Sequence, residues 1–165
     1  MGRLTILALR MVLVAALLGS LFVQVVMLPL VVRDMRGADP EVLALRAPLA
    51  VLIALGILTT QVVMVCLWRL VTMVRRGTVF SDAAFRFVDI IIGAIAAASL
   101  LLYLLGVVLA PGSTVAPGIV LLVGGAATVV AGIALVVVVM RSLLSQAVAR
   151  DLEASHLRAE LDEVV

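Results

Sequence analysis

Long uncharged runs separated by short polar segments dominate the pattern of this chain. The first two runs, 11–32 and 47–68, have an arginine at each end and no charged residue inside. A charged side chain at the centre of a bilayer costs about 2.5–3.5 kcal/mol on an insertion scale, so uncharged runs locate membrane spans. About 20 apolar residues are enough for a helix to cross the hydrocarbon. Both runs therefore predict transmembrane helices, with a kink near Pro29 in the first.

A third uncharged run, 90–140, is too long for one span and is interrupted by turn-forming residues. The segment 111–118 has two prolines and two glycines, which mark turns. The run therefore predicts two spans, 90–110 and 119–140, and their short connection makes them antiparallel neighbours. We expect an all-α, polytopic membrane protein with four transmembrane helices in a single membrane domain that covers the whole chain.

Arginine is distributed unequally between the two sides of these spans. The N-terminal segment, the central loop and the C-terminal tail together carry nine arginines, whereas the connection between the first two spans carries three. Loops on the cytoplasmic side retain positive charge. We therefore expect both termini on the cytoplasmic side of a cell membrane.

Two helix starts are predicted in the loops. Pro40, which follows an acidic N-cap residue, predicts a short surface helix that ends near Arg46. Ser81 is a second N-cap candidate, and Phe80 and Phe85 on either side of it have the spacing of a hydrophobic staple. This second helix is expected to lie at the membrane interface and to run into the third span.

The central loop combines basic and aromatic residues. Arg75, Arg76 and Arg86, with Phe80 and Phe85 among them, are candidates for contact with anionic lipid headgroups or with a protein partner. Ordinary anchoring by positive charge on the cytoplasmic side explains the same residues. Both interpretations stay open at this point.

The tail, 141–165, has a helix-forming composition and is expected to continue the fourth span into the cytoplasm as a helix. Ala154, Leu157, Leu161 and Val164 share one helix face, and Leu157 and Leu161 are the candidate partner contacts on it. Because this stripe is shorter than the three or four heptads of a coiled coil, a solvated tail is the alternative to a partner-binding tail.

The interior of the predicted spans contains little polar chemistry. No Asp, Glu, Lys, Arg or His lies within them, which disfavours a proton relay, an ion pathway or catalysis inside the membrane. Gln24 and Gln61 are the only amides in the spans. We expect a hydrogen bond between these two side chains to join the first span to the second.

Small residues recur at helical spacing in the last two spans. Gly93 and Ala97 lie in the third span, and Gly124 and Gly132 lie in the fourth. Small residues let helix backbones approach closely in lipid. Packing within the bundle explains them, and a seam between two copies of the chain is the alternative.

Composition narrows the function further. The chain is 65% hydrophobic and 13% charged, against about 45–50% and about 25% in globular proteins, so lipid is its main solvent. Its 12 basic residues are scattered and nearly balanced by 10 acidic ones, which excludes the basic stripe of a nucleic-acid-binding surface. One cysteine and one histidine do not make a zinc site, and no phosphate-binding or nucleophile motif is present. We expect a protein without enzymatic activity, metal or cofactor.

Three sequence features give the chain a resemblance to a known family. They are Gly-Thr-Val-Phe-Ser at 77–81, Ala-Pro-Gly at 116–118 and the acidic-apolar end at 160–165. With these features the chain resembles, over nearly its whole length, a bacterial family of four-helix membrane proteins catalogued as domain of unknown function 2975. The resemblance implies no known activity. It implies a small helix-turn-helix regulator as a partner, because members are often encoded beside one.

Two functional hypotheses follow. In the first, the protein is a membrane anchor or regulator whose segments 80–87 and 150–165 bind a cytoplasmic partner such as a small helix-turn-helix transcription factor. In the second, it is a component of small-molecule transport or efflux that works as a homo-oligomer. The second predicts a seam through Gly93, Ala97, Gly124 and Gly132 and a continuous cavity near Gln24 and Gln61.

Overall fold

The computed structural model describes residues 3–34, 40–75, 82–111 and 115–164, and it contains helices and no strand within these residues. The elements are α1 (Arg3–Phe22), a π-helical segment (Val23–Met27), α2 (Leu28–Asp34), α3 (Pro40–Arg75), α4 (Asp82–Leu109) and α5 (Pro117–Val164).

Four helical stretches are long and apolar enough to cross a membrane. They are Ile6–Asp34, Leu43–Met73, Phe85–Leu109 and Pro117–Ser155. The prediction of an all-α membrane protein with four spans is therefore confirmed. The first, second and fourth stretches extend beyond the uncharged runs that predicted them, because the helices continue past arginines at the ends of those runs. The third stretch begins before its run, at Phe85, and ends at Leu109.

The first span changes its hydrogen-bonding pattern just before its proline. Pro29 has no N–H group, and its ring crowds the carbonyl four residues earlier. In the structure the N–H of Leu28 donates to the carbonyl oxygen of Val23, five residues back. This wider π turn relieves the crowding, so the effect of Pro29 appears over Val23–Met27.

The second span differs from the prediction at its beginning. The helix begins at Pro40, as expected, but no separate surface helix ends near Arg46. Instead α3 is one helix of 36 residues that includes Pro48 in its first third. The chain remains helical through Pro48 because a single lost backbone hydrogen bond is tolerated in a membrane helix.

The last span and the tail form one helix. α5 begins at Pro117, where a missing N–H costs nothing because the first helical N–H groups have no partner within the helix. It then continues for 48 residues to Val164, or roughly 72 Å at 1.5 Å per residue. The hydrocarbon layer is only about 30 Å thick. The predicted helical continuation of the fourth span is present.

The described helices form a row rather than a closed bundle. α1 packs against α3, α3 packs against α4, and α4 packs against α5. The contact between α4 and α5 is close at Ala127, which is fully buried. There the hydroxyl of Ser99 donates a hydrogen bond of 2.9 Å to the carbonyl oxygen of Ala127. Most large apolar side chains are exposed on the outside of the row, where lipid covers them.

Replacing Ala127 with Leu tests the α4–α5 contact. The added side chain meets α4 where no space remains, so we expect the free energy of unfolding to fall by about 1–3 kcal/mol. Ala126→Leu is the matched control, because Ala126 is exposed and the same added carbon atoms face lipid. Reversible unfolding in mixed micelles measures both variants. Equal stability of the two variants would contradict the packing described here.

Candidate functional site

α1 contacts α3 along one narrow stripe of its surface. Arg10, Leu13, Leu17, Ser20 and Gln24 are spaced alternately three and four residues apart, which places them on one helix face. Among them only Leu13 is buried, and the others are partly exposed. The stripe is polar at both ends, and each end is bonded to α3.

The Gln24 end of the stripe forms a cluster of two amides and a hydroxyl with α3. Gln61 Nε2 donates a hydrogen bond of 3.0 Å to Gln24 Oε1 and one of 3.3 Å to Ser20 Oγ. The structure thus joins the two glutamines for which the sequence predicts a hydrogen bond between the first two spans. Gln24 lies in the π-helical segment, so the local geometry imposed by Pro29 also places this amide.

The other end of the stripe is an arginine held on an indole. Arg10 Nη2 donates to Thr72 Oγ1 at 3.0 Å, and Thr72 Oγ1 donates to the carbonyl oxygen of Trp68 at 2.8 Å. The Arg10 guanidinium carbon lies 5.2 Å from the centroid of the Trp68 ring, within the range of a cation–π interaction. From the sequence, Arg10 was predicted only to contribute to orientation through its charge, and these contacts were not predicted. The available signal was its spacing of two heptads from Gln24.

A second polar contact joins α4 to α5 where the tail leaves the row. Arg141 Nη2 donates to Asp89 Oδ2 at 2.8 Å, and its guanidinium carbon lies 5.9 Å from the centroid of the Phe85 ring. We call Phe85, Asp89 and Arg141 the tail base. The ion pair was not predicted from the sequence, although Asp89 directly precedes the third predicted span and Arg141 directly follows the fourth. An antiparallel hairpin brings these two positions level.

The tail base includes one of the predicted contact residues. Phe85 is partly buried, and Arg86 next to it is exposed. Arg76 and Phe80 lie outside the described residues. Arg75, Leu157 and Leu161 lie on described helices, but their side chains lie outside the described part of the structure.

The predicted small residues do not lie where α4 and α5 meet closely. A Cβ atom added to Gly93, Gly124 or Gly132 would meet no described atom within 4 Å apart from the neighbouring backbone of its own helix, and Ala97 is exposed. The close contact of the two helices lies instead around Ala127. A seam between copies that uses these four small residues stays a prediction.

A cleft of about 520 Å³ opens between α3 and α4, and Val130 of α5 also lines it. Its walls include Gly56, Thr59 and Thr60 of α3 and Ala94 and Ala98 of α4. Both threonine hydroxyls donate to the Gly56 carbonyl oxygen, at 2.8 and 3.1 Å, so they are satisfied within their own helix. The cleft therefore offers an apolar surface.

The cleft and the amide cluster are separate features of α3. Neither Gln24 nor Gln61 is among the residues that line the cleft. The transport hypothesis places a cavity near these glutamines, and the cleft lies on another face of α3. Among the residues described, no group of three or more His, Cys, Asp or Glu side chains is arranged to hold a metal ion.

The four apolar helices define the class of the protein as a multi-pass membrane protein. A family model described as a protein of unknown function, DUF2975, matches residues 30–165, and the chain belongs to this family. The match begins one residue after Pro29, so α1 and the π-helical segment precede it. No curated protein and no solved structure matches the chain.

The bond between Gln24 and Gln61 is testable with a double-mutant cycle. We expect Gln24→Leu and Gln61→Leu each to lower the free energy of unfolding, and the double variant to lose less than the sum of the two. The coupling energy should be about 0.6–1.7 kcal/mol, the range of interhelical hydrogen bonds in membranes. Unfolding in mixed micelles measures it, and strictly additive losses would show that the two amides do not interact.

Proposed function

We propose that the protein is a non-enzymatic membrane anchor or regulator whose tail helix binds a cytoplasmic protein. The observation that carries this proposal is the unbroken course of α5 from Pro117 to Val164. From Arg141 onward the helix extends by roughly 36 Å, at 1.5 Å per residue. A helix that continues so far past the apolar span presents a surface to the aqueous phase at a fixed distance from the membrane.

The tail base supports this role because it sets the direction in which the tail leaves the membrane. Arg141 is the first residue after the fourth predicted span, and it is bonded to Asp89 at the start of the third. Its contact with the Phe85 ring adds a second direction of restraint. Both side chains of the ion pair are partly exposed, so the pair contributes at most about 1 kcal/mol to stability. The main effect of the ion pair is therefore on the direction of the tail helix and not on the stability of the protein.

The chemistry of the tail favours a basic partner that offers an apolar groove. The segment 150–165 carries two arginines and five acidic residues, a net charge of −3. Its one apolar face contains Leu157 and Leu161 in the spacing that a helix uses to bind in a groove. Small helix-turn-helix regulators bind DNA through basic surfaces, and the family resemblance points to such a regulator. Bound to the tail, that regulator would be held at the membrane and away from DNA.

Substitution of Leu157 by Glu tests the partner-binding face. The tagged full chain is purified from its native host in mild detergent, and co-eluting proteins are identified by mass spectrometry. We expect a helix-turn-helix protein to co-elute with the unmodified chain. Its recovery should fall at least tenfold with Leu157→Glu, because burying the new charge at a central contact costs more than about 1.4 kcal/mol of binding free energy.

The matched control is Ala159→Glu, which adds the same charge on the opposite face of the tail. It should recover the partner as well as the unmodified chain does. If both variants recover the same amount, the apolar face is not the binding surface. If the unmodified chain elutes alone, the proposal is refuted.

The proposal also requires that both termini lie on the cytoplasmic side of a bacterial plasma membrane, as the arginine distribution predicts. Alkaline phosphatase, which is active only outside the cytoplasm, reports the side directly. We expect it to be inactive when fused after residue 165 and active when inserted at residue 113, between α4 and α5. The reversed pattern would place the tail outside the cytoplasm and exclude the proposed partner.

A further inference from the structure

We infer that the Arg10 end of the α1–α3 stripe is a binding site for a phosphate group, and that its source is the headgroup of an anionic phospholipid. This inference is independent of the proposed function, because it concerns helices at the other end of the row from the tail base.

The guanidinium of Arg10 is held in place before any ligand binds. Thr72 accepts a hydrogen bond from Arg10 Nη2, and the Trp68 ring lies against the guanidinium. Thr72 is itself fixed by its bond to the Trp68 carbonyl oxygen. A planar cation that is already oriented loses little freedom when it binds an anion.

Arg10 has no anionic partner among the described residues. A guanidinium has five N–H donors, and Arg10 spends one of them on Thr72. Its Nε is buried without a hydrogen-bond acceptor among the described residues, so a ligand is left the unused donors of the terminal nitrogens Nη1 and Nη2. The ion pair found within the described residues belongs to Arg141 and Asp89. An unmatched cation with unused donors is the arrangement that a phosphate oxygen completes.

Arg10 and Thr72 both lie near the ends of their membrane spans. Arg10 lies one helical turn inside the first span, which begins at Ile6, and Thr72 lies one residue before the end of the second at Met73. Both therefore lie at the depth of lipid headgroups and the adjoining acyl chains. A basic side chain held between two spans at this depth is typical of sites for anionic headgroups.

The single tryptophan of the chain makes the test direct, because Trp68 forms part of the site. The full chain is reconstituted in phosphatidylcholine bilayers, and increasing fractions of phosphatidylglycerol with brominated acyl chains are added. Bromine quenches tryptophan fluorescence on contact. We expect brominated phosphatidylglycerol to bind about five times more tightly than brominated phosphatidylcholine, the preference that one basic residue provides near a membrane surface.

Arg10→Gln should abolish this preference, whereas Arg86→Gln, an equal loss of charge at an exposed position on α4, should leave it unchanged. Equal losses in the two variants would mean that only the general surface charge matters and would overturn the site. Thr72→Val keeps every charge and removes the positioning bond. It should also lower the preference, and a full preference in this variant would overturn the argument from positioning.

A soluble phosphate is distinguished from a lipid in the same preparation. Inorganic phosphate is added to the protein in pure phosphatidylcholine bilayers. We expect no change in Trp68 emission at millimolar phosphate. A saturable change that is lost in Arg10→Gln would keep the phosphate chemistry but overturn the assignment to a lipid headgroup. Equal quenching by the two brominated lipids would overturn the inference as a whole.

Discussion

The absence of a hydrophobic driving force between helices in lipid is the constraint on which this structure depends. Apolar side chains lose nothing by facing acyl chains, so contact between spans has to come from close packing and from hydrogen bonds. The chain uses both, at different places. α4 and α5 meet closely at Ala127 and share the bond from Ser99. α1 is attached to α3 through polar contacts at the two ends of one stripe.

This division explains the row of helices. A soluble four-helix protein would close into a bundle to bury its apolar faces, whereas here lipid solvates those faces at no cost. Polar contacts therefore determine that α1 packs against α3. A wide apolar contact surface shared by all the helices is not required to hold them together. The same reasoning accounts for the apolar cleft between α3 and α4, since an open apolar groove carries no penalty when acyl chains fill it. The cleft needs no polar lining, and both of its threonines bond back to their own helix.

How far the sequence predicted the structure depended on whether a feature is local. The spans follow from where charge is absent, and the start of α5 follows from Pro117, because each depends on a few neighbouring residues. The Gln24–Gln61 bond was predictable because no other amide lies in the spans predicted from the sequence. The Arg10–Thr72 contact depends on the register of two antiparallel helices, and residue counts alone do not give a register. The faces of Gly93, Gly124 and Gly132 depend on the rotation of each helix, which an abundance of small residues leaves open.

The length of α5 has a mechanical consequence. Because the transmembrane part and the tail are one helix, a tilt of the transmembrane part about the Arg141–Asp89 contact also tilts the tail. A tilt of about 10° within the bilayer moves the far end of the roughly 36 Å tail by about 6 Å, which exceeds the rise of one helical turn. A change in bilayer thickness or in the neighbours of the last span would thus be converted into a displacement in the aqueous phase, without any hinge in the chain.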